Sequence, residues 1–120
     1  MPRLERIDHV QLSGPVGSED LMRGFFAGLL GMTEEPKPPA LARRGGCWFR
    51  SGAVAVHIGV EADFRPARKA HPAFGVSDLD EVAARLSDAG CEVRWDDSIP
   101  QVRRFHTDDP VGNRLEFLEV

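Results

Sequence analysis

The chain has 120 residues, of which 15 are basic and 19 acidic, so its formal net charge is −4. Residues 1–120 fit one domain, and the absence of a basic stripe argues against nucleic acid as a partner. No apolar run approaches the roughly 18 residues that cross a bilayer, which argues against a membrane segment. The two cysteines do not make a disulfide framework, and the polar start of the chain does not resemble a signal peptide, so we expect a cytoplasmic protein.

The first half of the chain predicts a strand, a helix and further strands. Apolar and polar residues alternate over 7–13, which indicates a strand with Val10 on one face and His9 on the other. A helix is expected to begin after Ser18, a suitable N-cap residue, and to end at Gly31. The remaining expected elements are an edge strand in 34–41 and a hairpin formed by 47–50 and 54–61.

The same order of elements then restarts. The basic segment 62–70 is the expected linker between module 1 (1–61) and module 2 (71–120). Module 2 predicts a strand at its start and then a helix that Ser77 or Asp78 caps. Its later strands are expected at 91–95, 103–107 and 114–119. The chain therefore predicts one domain that contains the same module twice.

Each half of the chain also carries two side chains that can bind a metal. These are His9 and His57 in the first half, and His71 and Glu116 in the second. From 9 to 71 is 62 positions and from 57 to 116 is 59 positions, so the pairs recur at nearly one period. A duplicated module can place four such side chains around one pseudo-twofold axis. Three imidazoles and a carboxylate suit one divalent ion of Zn, Ni, Fe or Mn.

The pattern of the strand at 54–61 indicates which face of the sheet is open. One face is apolar and is expected to lie under a helix. The opposite face carries His57 and Glu61, which would be costly to bury beneath a helix. The small residues Ala55 and Gly59 leave space beside His57 for a ligand.

Two segments resemble the vicinal oxygen chelate superfamily, which includes glyoxalase I, bleomycin resistance proteins, fosfomycin resistance transferases and extradiol dioxygenases. They are IDHV at 7–10 and DPVGNRLE at 109–116; VHIGVE at 56–61 and FRPARKAHP at 64–72 are similar to a bacterial branch of that superfamily. The resemblance covers essentially the whole chain. It implies an α+β fold in which two paired βαβββ modules form a curled mixed β-sheet cup with helices outside. It also implies a homodimer, since short members commonly dimerise and often share the site between subunits.

The resemblance also implies roles for the four donors. Position by position, His9, His57, His71 and Glu116 match the metal ligands of the superfamily, and Glu116 also matches the catalytic base of glyoxalases. Glyoxalases of the closest pattern carry a glutamate where this chain has His57. The trio of His9, His71 and Glu116 resembles the two-histidine, one-carboxylate set of dioxygenases and fosfomycin enzymes. His57 is then either a fourth ligand or a residue that contacts the ligands but not the metal.

Three functions follow from the resemblance. The first is isomerase or lyase chemistry of the glyoxalase kind, dependent on a divalent metal, on a small substrate that chelates through two oxygens. The alternative is a metal-free small-molecule (drug) binding protein like the bleomycin resistance proteins. The third is an Fe(II) extradiol-type dioxygenase.

Four further residues are candidates for contact with a small-molecule substrate. Arg104 and His106 share a strand that borders the cup in the superfamily, and together they suit an anionic group, although surface solvation is the commoner fate of such an arginine. Glu61 either adds a carboxylate to the site or marks the exposed end of its strand. Trp48 either packs at the core or rim, which we favour, or stacks on a substrate.

Overall fold

The computed structural model describes residues 1–120, and its strands form two separate four-stranded sheets. The first sheet has the order β1-β4-β3-β2 and contains β1 (Val10–Pro15), β2 (Thr33–Glu35), β3 (Cys47–Ser51) and β4 (Val54–Glu61). The second has the order β5-β8-β7-β6 and contains β5 (Ala73–Val76), β6 (Arg94–Asp96), β7 (Arg104–Asp108) and β8 (Arg114–Glu119). In each sheet one pair of strands is parallel, β1 with β4 in the first sheet and β5 with β8 in the second. All other pairs are antiparallel. The predicted α+β fold of two βαβββ modules with mixed sheets is confirmed.

The strands β1 and β5 begin later than the sequence pattern predicts, which places their first residues after the predicted donors His9 and His71. β1 begins at Val10 and β5 begins at Ala73, so His9 and His71 lie just before their strands. The backbone of each histidine is therefore outside the ladder of the sheet.

The helices also differ in part from the expected pattern. Helix α1 (Glu19–Met22) continues as a π-helical segment (Arg23–Leu29), in which the Leu30 amide donates to the Phe25 carbonyl at 3.0 Å. Phe25 in the π-helical segment is buried, whereas Leu21 in α1 is 58% exposed. The other helices are α2 (Pro39–Ala42), where the sequence predicts an edge strand and loop, and α3 (Leu79–Asp88). None of these helices is both long enough and apolar enough to cross a membrane.

One hydrophobic core joins the two modules. Its buried side chains come from the helices and from the helix-facing side of both sheets, and include Met22, Phe26, Phe49, Val56, Ile58, Leu79, Leu86, Phe105, Leu115 and Phe117. Side chains alternate between the two faces of a strand. His57, which follows Val56, and Glu116, which precedes Phe117, therefore lie on the sheet faces that point away from this core.

Candidate metal centre

The two sheets repeat the same register around the predicted donors. In the first sheet Gln11 lies opposite His57, and in the second Ala73 lies opposite Glu116. Gln11 follows His9 by two positions, and Ala73 likewise follows His71 by two positions. The donors therefore occupy equivalent places in the two modules: His9 and His57 in the first, and His71 and Glu116 in the second.

The second module brings three potential ligands together. The His71 Nε2 atom lies 2.8 Å from Glu116 Oε1, and the His106 Nε2 atom lies 3.3 Å from the same oxygen. A metal with bonds of about 2.0–2.2 Å in tetrahedral geometry keeps its ligand atoms about 3.3–3.6 Å apart. The His106 contact fits this spacing, whereas the His71 contact has the length of a hydrogen bond and would have to widen around an ion. This trio is the only group of three or more such side chains in the chain whose ligand atoms lie within 4.8 Å of one another. Its composition of two imidazoles and a carboxylate suits a divalent ion.

The hydrogen bond of His71 to the backbone determines which ring nitrogen faces the cluster. Its Nδ1 atom is 2.8 Å from the Lys69 carbonyl oxygen, which can only accept, so Nδ1 carries the proton and donates. In the neutral ring Nε2 then holds a lone pair. That lone pair faces Glu116 Oε1 at 2.8 Å, and two acceptors at this distance require a proton or a cation between them. Donation of the other ring N–H to a carbonyl is also the usual arrangement of a metal-binding histidine.

The electrostatics of the cluster keep Glu116 ionised and His106 neutral. Burial raises the pKa of Glu116, but its hydrogen bonds with His71 and Arg104 outweigh that effect, and its pKa lies below the usual range. Burial, and then the charge of Arg114, lower the pKa of His106. An anionic oxygen beside the neutral imidazole of His106 suits a divalent cation, which binds deprotonated ligands.

The sequence predicts that Arg104 contacts the substrate. In the structure its guanidinium group donates mainly to carboxylates of its own chain. Its Nη1 atom donates to Glu116 Oε2 at 3.2 Å, and its Nη2 atom donates to Asp96 Oδ2 at 3.0 Å and to Ser98 Oγ at 3.2 Å. The side chain is only 16% exposed. In this geometry Arg104 fixes the orientation of the Glu116 carboxylate.

The donor pair of the first module lies outside the cluster of the second. His57 is stacked between His9, at 4.1 Å between ring centroids, and Trp48, at 3.9 Å and 3° between planes. The His9 Nδ1 atom lies 2.9 Å from Asp8 Oδ2, which leaves Nε2 for a ligand. Burial and then the charge of His9 lower the pKa of His57, which favours the neutral, metal-binding ring. The Trp48 indole thus packs on His57.

The remaining candidate, Glu61, is the exposed last residue of β4. It lines a groove of about 450 Å³ that His71 and Arg114 also line. Glu61 therefore shares a groove with one member of the second module's cluster, His71.

The sequence predicts His106 as a substrate contact and does not predict its place beside Glu116, although strand register carries a signal for that place. In β7 His106 lies opposite Glu116, as Trp48 in β3 lies opposite His57. The two modules therefore differ at this equivalent place, with a third donor in one and an indole in the other. Comparing the modules strand by strand, rather than by their histidines alone, would have placed His106 beside Glu116.

No protein-family model and no curated protein matches the chain. A solved structure of a glyoxalase family protein from Bacillus anthracis is 49% identical, with 99% of this chain and 98% of that chain covered and a TM-score of 0.95. Lactoylglutathione lyase from Agrobacterium tumefaciens is 18% identical, with coverage of 98% and 96% and a TM-score of 0.75. An antibiotic binding protein from a Streptomyces species is 20% identical, with coverage of 97% and 98% and a TM-score of 0.72.

The last two proteins share the fold at low identity, whereas the Bacillus anthracis protein matches in both sequence and fold over nearly its whole length. The segments IDHV and DPVGNRLE, with the two βαβββ modules, agree with that match. The chain belongs to the glyoxalase family of the vicinal oxygen chelate superfamily.

Proposed function

We propose that this protein is a divalent-metal enzyme with isomerase or lyase chemistry on a small substrate that chelates through two adjacent oxygens. The observation that carries the proposal is the contact of His71 Nε2 with Glu116 Oε1 at 2.8 Å. The Lys69 carbonyl holds a proton on Nδ1, so in the neutral ring the Nε2 lone pair faces the carboxylate. A divalent cation would bind both atoms, together with His106, in a largely buried position.

We further propose that the complete site forms between two copies of the chain. His9 and His57 occupy the places in module 1 that His71 and Glu116 occupy in module 2, yet the pairs are not in one cluster within a chain. A twofold dimer presents the same surfaces in both directions, so it would form two equivalent sites. Each site would combine His71 and Glu116 of one subunit with the first-module pair of the other.

The residues of the cluster have separable chemical roles in this proposal. A bound divalent ion would supply Lewis acidity that polarises a substrate carbonyl oxygen. Glu116, ionised and oriented by Arg104, is the base that removes a proton next to that carbonyl and returns it to the product. His106, neutral and 3.3 Å from Glu116 Oε1, would hold the ion together with His71.

A second candidate, an Fe(II) dioxygenase, is favoured by the composition of the cluster in module 2. His71, His106 and Glu116 form a two-histidine, one-carboxylate set within one chain. Such a set leaves positions of an iron free for oxygen and substrate. The identity of the bound metal distinguishes this candidate from the isomerase.

A third candidate, a metal-free small-molecule binding protein, is favoured by the aromatic stack of module 1. The rings of His9, His57 and Trp48 form a continuous flat surface on the sheet face that points away from the core. An antibiotic binding protein from a Streptomyces species has this fold, which supports this candidate. An absence of metal binding would favour this candidate.

The test is the metal content of untagged protein by mass spectrometry, for wild type, His71→Ala and the control Lys69→Ala. The control removes an exposed side chain but keeps the carbonyl that orients His71. We expect about one ion per chain in wild type and control, and a large loss in His71→Ala. Zn or Ni would support isomerisation and Fe would support oxygenation. Failure to bind any of these ions after incubation would contradict the proposal.

A further inference from the structure

A groove of about 750 Å³ on the second module is lined by four arginines and a single acidic residue. The arginines come from the linker, from β6 and from the start of β8: Arg65, Arg68, Arg94 and Arg114. The acidic residue is Asp108 at the end of β7. The chain as a whole is acidic, so this concentration of cations departs from its overall charge.

The positive charge of the groove is mostly uncompensated. Asp108 pairs with Arg94, with oxygen-to-nitrogen distances of 3.0 and 3.1 Å. The other three arginines, Arg65, Arg68 and Arg114, make no ion pair with any carboxylate of the chain. The groove therefore presents three free guanidinium groups to a ligand.

Arg114 gives an independent indication of a ligand. Its Nε atom is buried and has no hydrogen-bond partner, and its Nη1 atom reaches only the Arg68 carbonyl oxygen, at 3.5 Å. A buried donor without an acceptor costs free energy, more so when the group is charged. A carboxylate or phosphate accepts two parallel N–H bonds from such a fork. An anion in the groove would accept from the Nη2 atom of Arg114, which makes no hydrogen bond within the chain.

The groove adjoins the candidate metal centre. Arg114 precedes Glu116 by two positions on β8, so the two side chains lie on the same sheet face about 7 Å apart along the strand. Arg94 lies opposite His106 on the neighbouring strands. A single small molecule can therefore reach both the donor cluster and the arginines.

We propose that Arg114, with Arg65 and Arg68, forms an anion subsite, and that the substrate carries a carboxylate or phosphate group in addition to its two chelating oxygens. Anion binding by the groove does not depend on a metal. Its assignment as part of a substrate site rests on the proposed function.

The test measures binding of inorganic phosphate and of acetate to the metal-free protein by calorimetry at constant ionic strength. The variants are Arg114→Met and the control Arg103→Met, whose side chain pairs with Asp80 and Glu119 instead. We expect Arg114→Met to weaken binding of the preferred anion at least about tenfold, or about 1.4 kcal/mol, and Arg103→Met to leave it unchanged. Preference for phosphate or acetate identifies which anionic group the substrate carries.

Equal binding in all three proteins, or equal weakening in both variants, would overturn the subsite. Absence of binding of either anion to wild type would overturn it as well. If Arg114→Met does not fold, Arg68→Met, at an exposed position, replaces it with the same expected direction. Metal content of the variants separates the two proposals: Arg114-dependent anion binding without any metal would refute the enzyme but not the subsite. Metal binding without Arg114-dependent anion binding would refute only the subsite.

Discussion

His71 and Glu116 are 45 positions apart in the chain, yet Nε2 of the histidine lies 2.8 Å from Oε1 of the glutamate. The parallel pairing of β5 with β8 produces this contact. It sets Ala73 opposite Glu116, and His71, two positions before Ala73, is thereby placed beside the glutamate. The Glu116 amide also donates to the Pro72 carbonyl at 3.0 Å, which fixes the start of the register. Glu116 is thus held within a strand, whereas His71 lies just before one and is oriented by the Lys69 carbonyl.

Replacing Arg104 by leucine is expected to weaken metal binding about 10–100-fold. The substitution frees the Glu116 carboxylate to rotate and leaves Asp96 without its partner. Competition with a chromophoric chelator measures the affinity. Arg103→Leu is the matched control, since its partners are Asp80 and Glu119. Unchanged or tighter binding in Arg104→Leu would show that the arginine does not position the ligand.

Replacing Trp48 by leucine is expected to raise the pKa of His57. Burial is the largest cause that lowers this pKa, and the indole covers one face of the ring. Leucine leaves more of the ring in water, which favours the charged form. Histidine ring signals followed by NMR in metal-free protein between pH 5 and 8 report the change. Trp95→Leu should not alter the titration of His57, because Trp95 packs on Phe105. A His57 pKa that stays the same in Trp48→Leu would argue against the stack as its cause.

Replacing Asp109 by alanine is expected to destabilise the fold by about 2–4 kcal/mol. The buried carboxylate accepts from the amides of Val111 and Asn113 and from the Asn113 side chain, at 2.8–3.0 Å. That same Asn113 side chain donates to the Ser13 carbonyl at 2.7 Å and so joins the two modules. Urea unfolding measures the loss. Asp97→Ala, at an exposed position, should change stability little, and an equal effect of both substitutions would refute this role.

The repeat of the module and the facing of β4 could be predicted from the sequence for a physical reason. Alternation with a period of two is visible in the chain itself, and it placed His57 and Glu61 on the face away from the core. Gly31, predicted to end the first helix, adopts a positive φ angle of 71°, and Gly90, which follows α3, adopts one of 87°.

Other features depend on contacts that one strand or helix does not encode. The π-helical turn arises where Phe25 and Phe26 both enter the core, which a regular helix of 3.6 residues per turn does not predict. The partner of His106 follows from the register of β7 with β8, and that register is set by packing. A sequence repeat likewise gives equivalent places for His9 and His71 but does not reveal whether they meet within one chain.

The most direct test of the shared metal site is a mixed dimer. His57→Ala and His71→Ala chains with different tags are coexpressed, and dimers that contain one of each are isolated and their metal content measured. If the site combines both subunits, one site loses two ligands while the other keeps all of its own, so the mixed dimer should bind about one ion. Each parent protein should bind much less. A mixed dimer with no more metal than its parents, or a chain that stays monomeric with bound metal, would contradict the shared site.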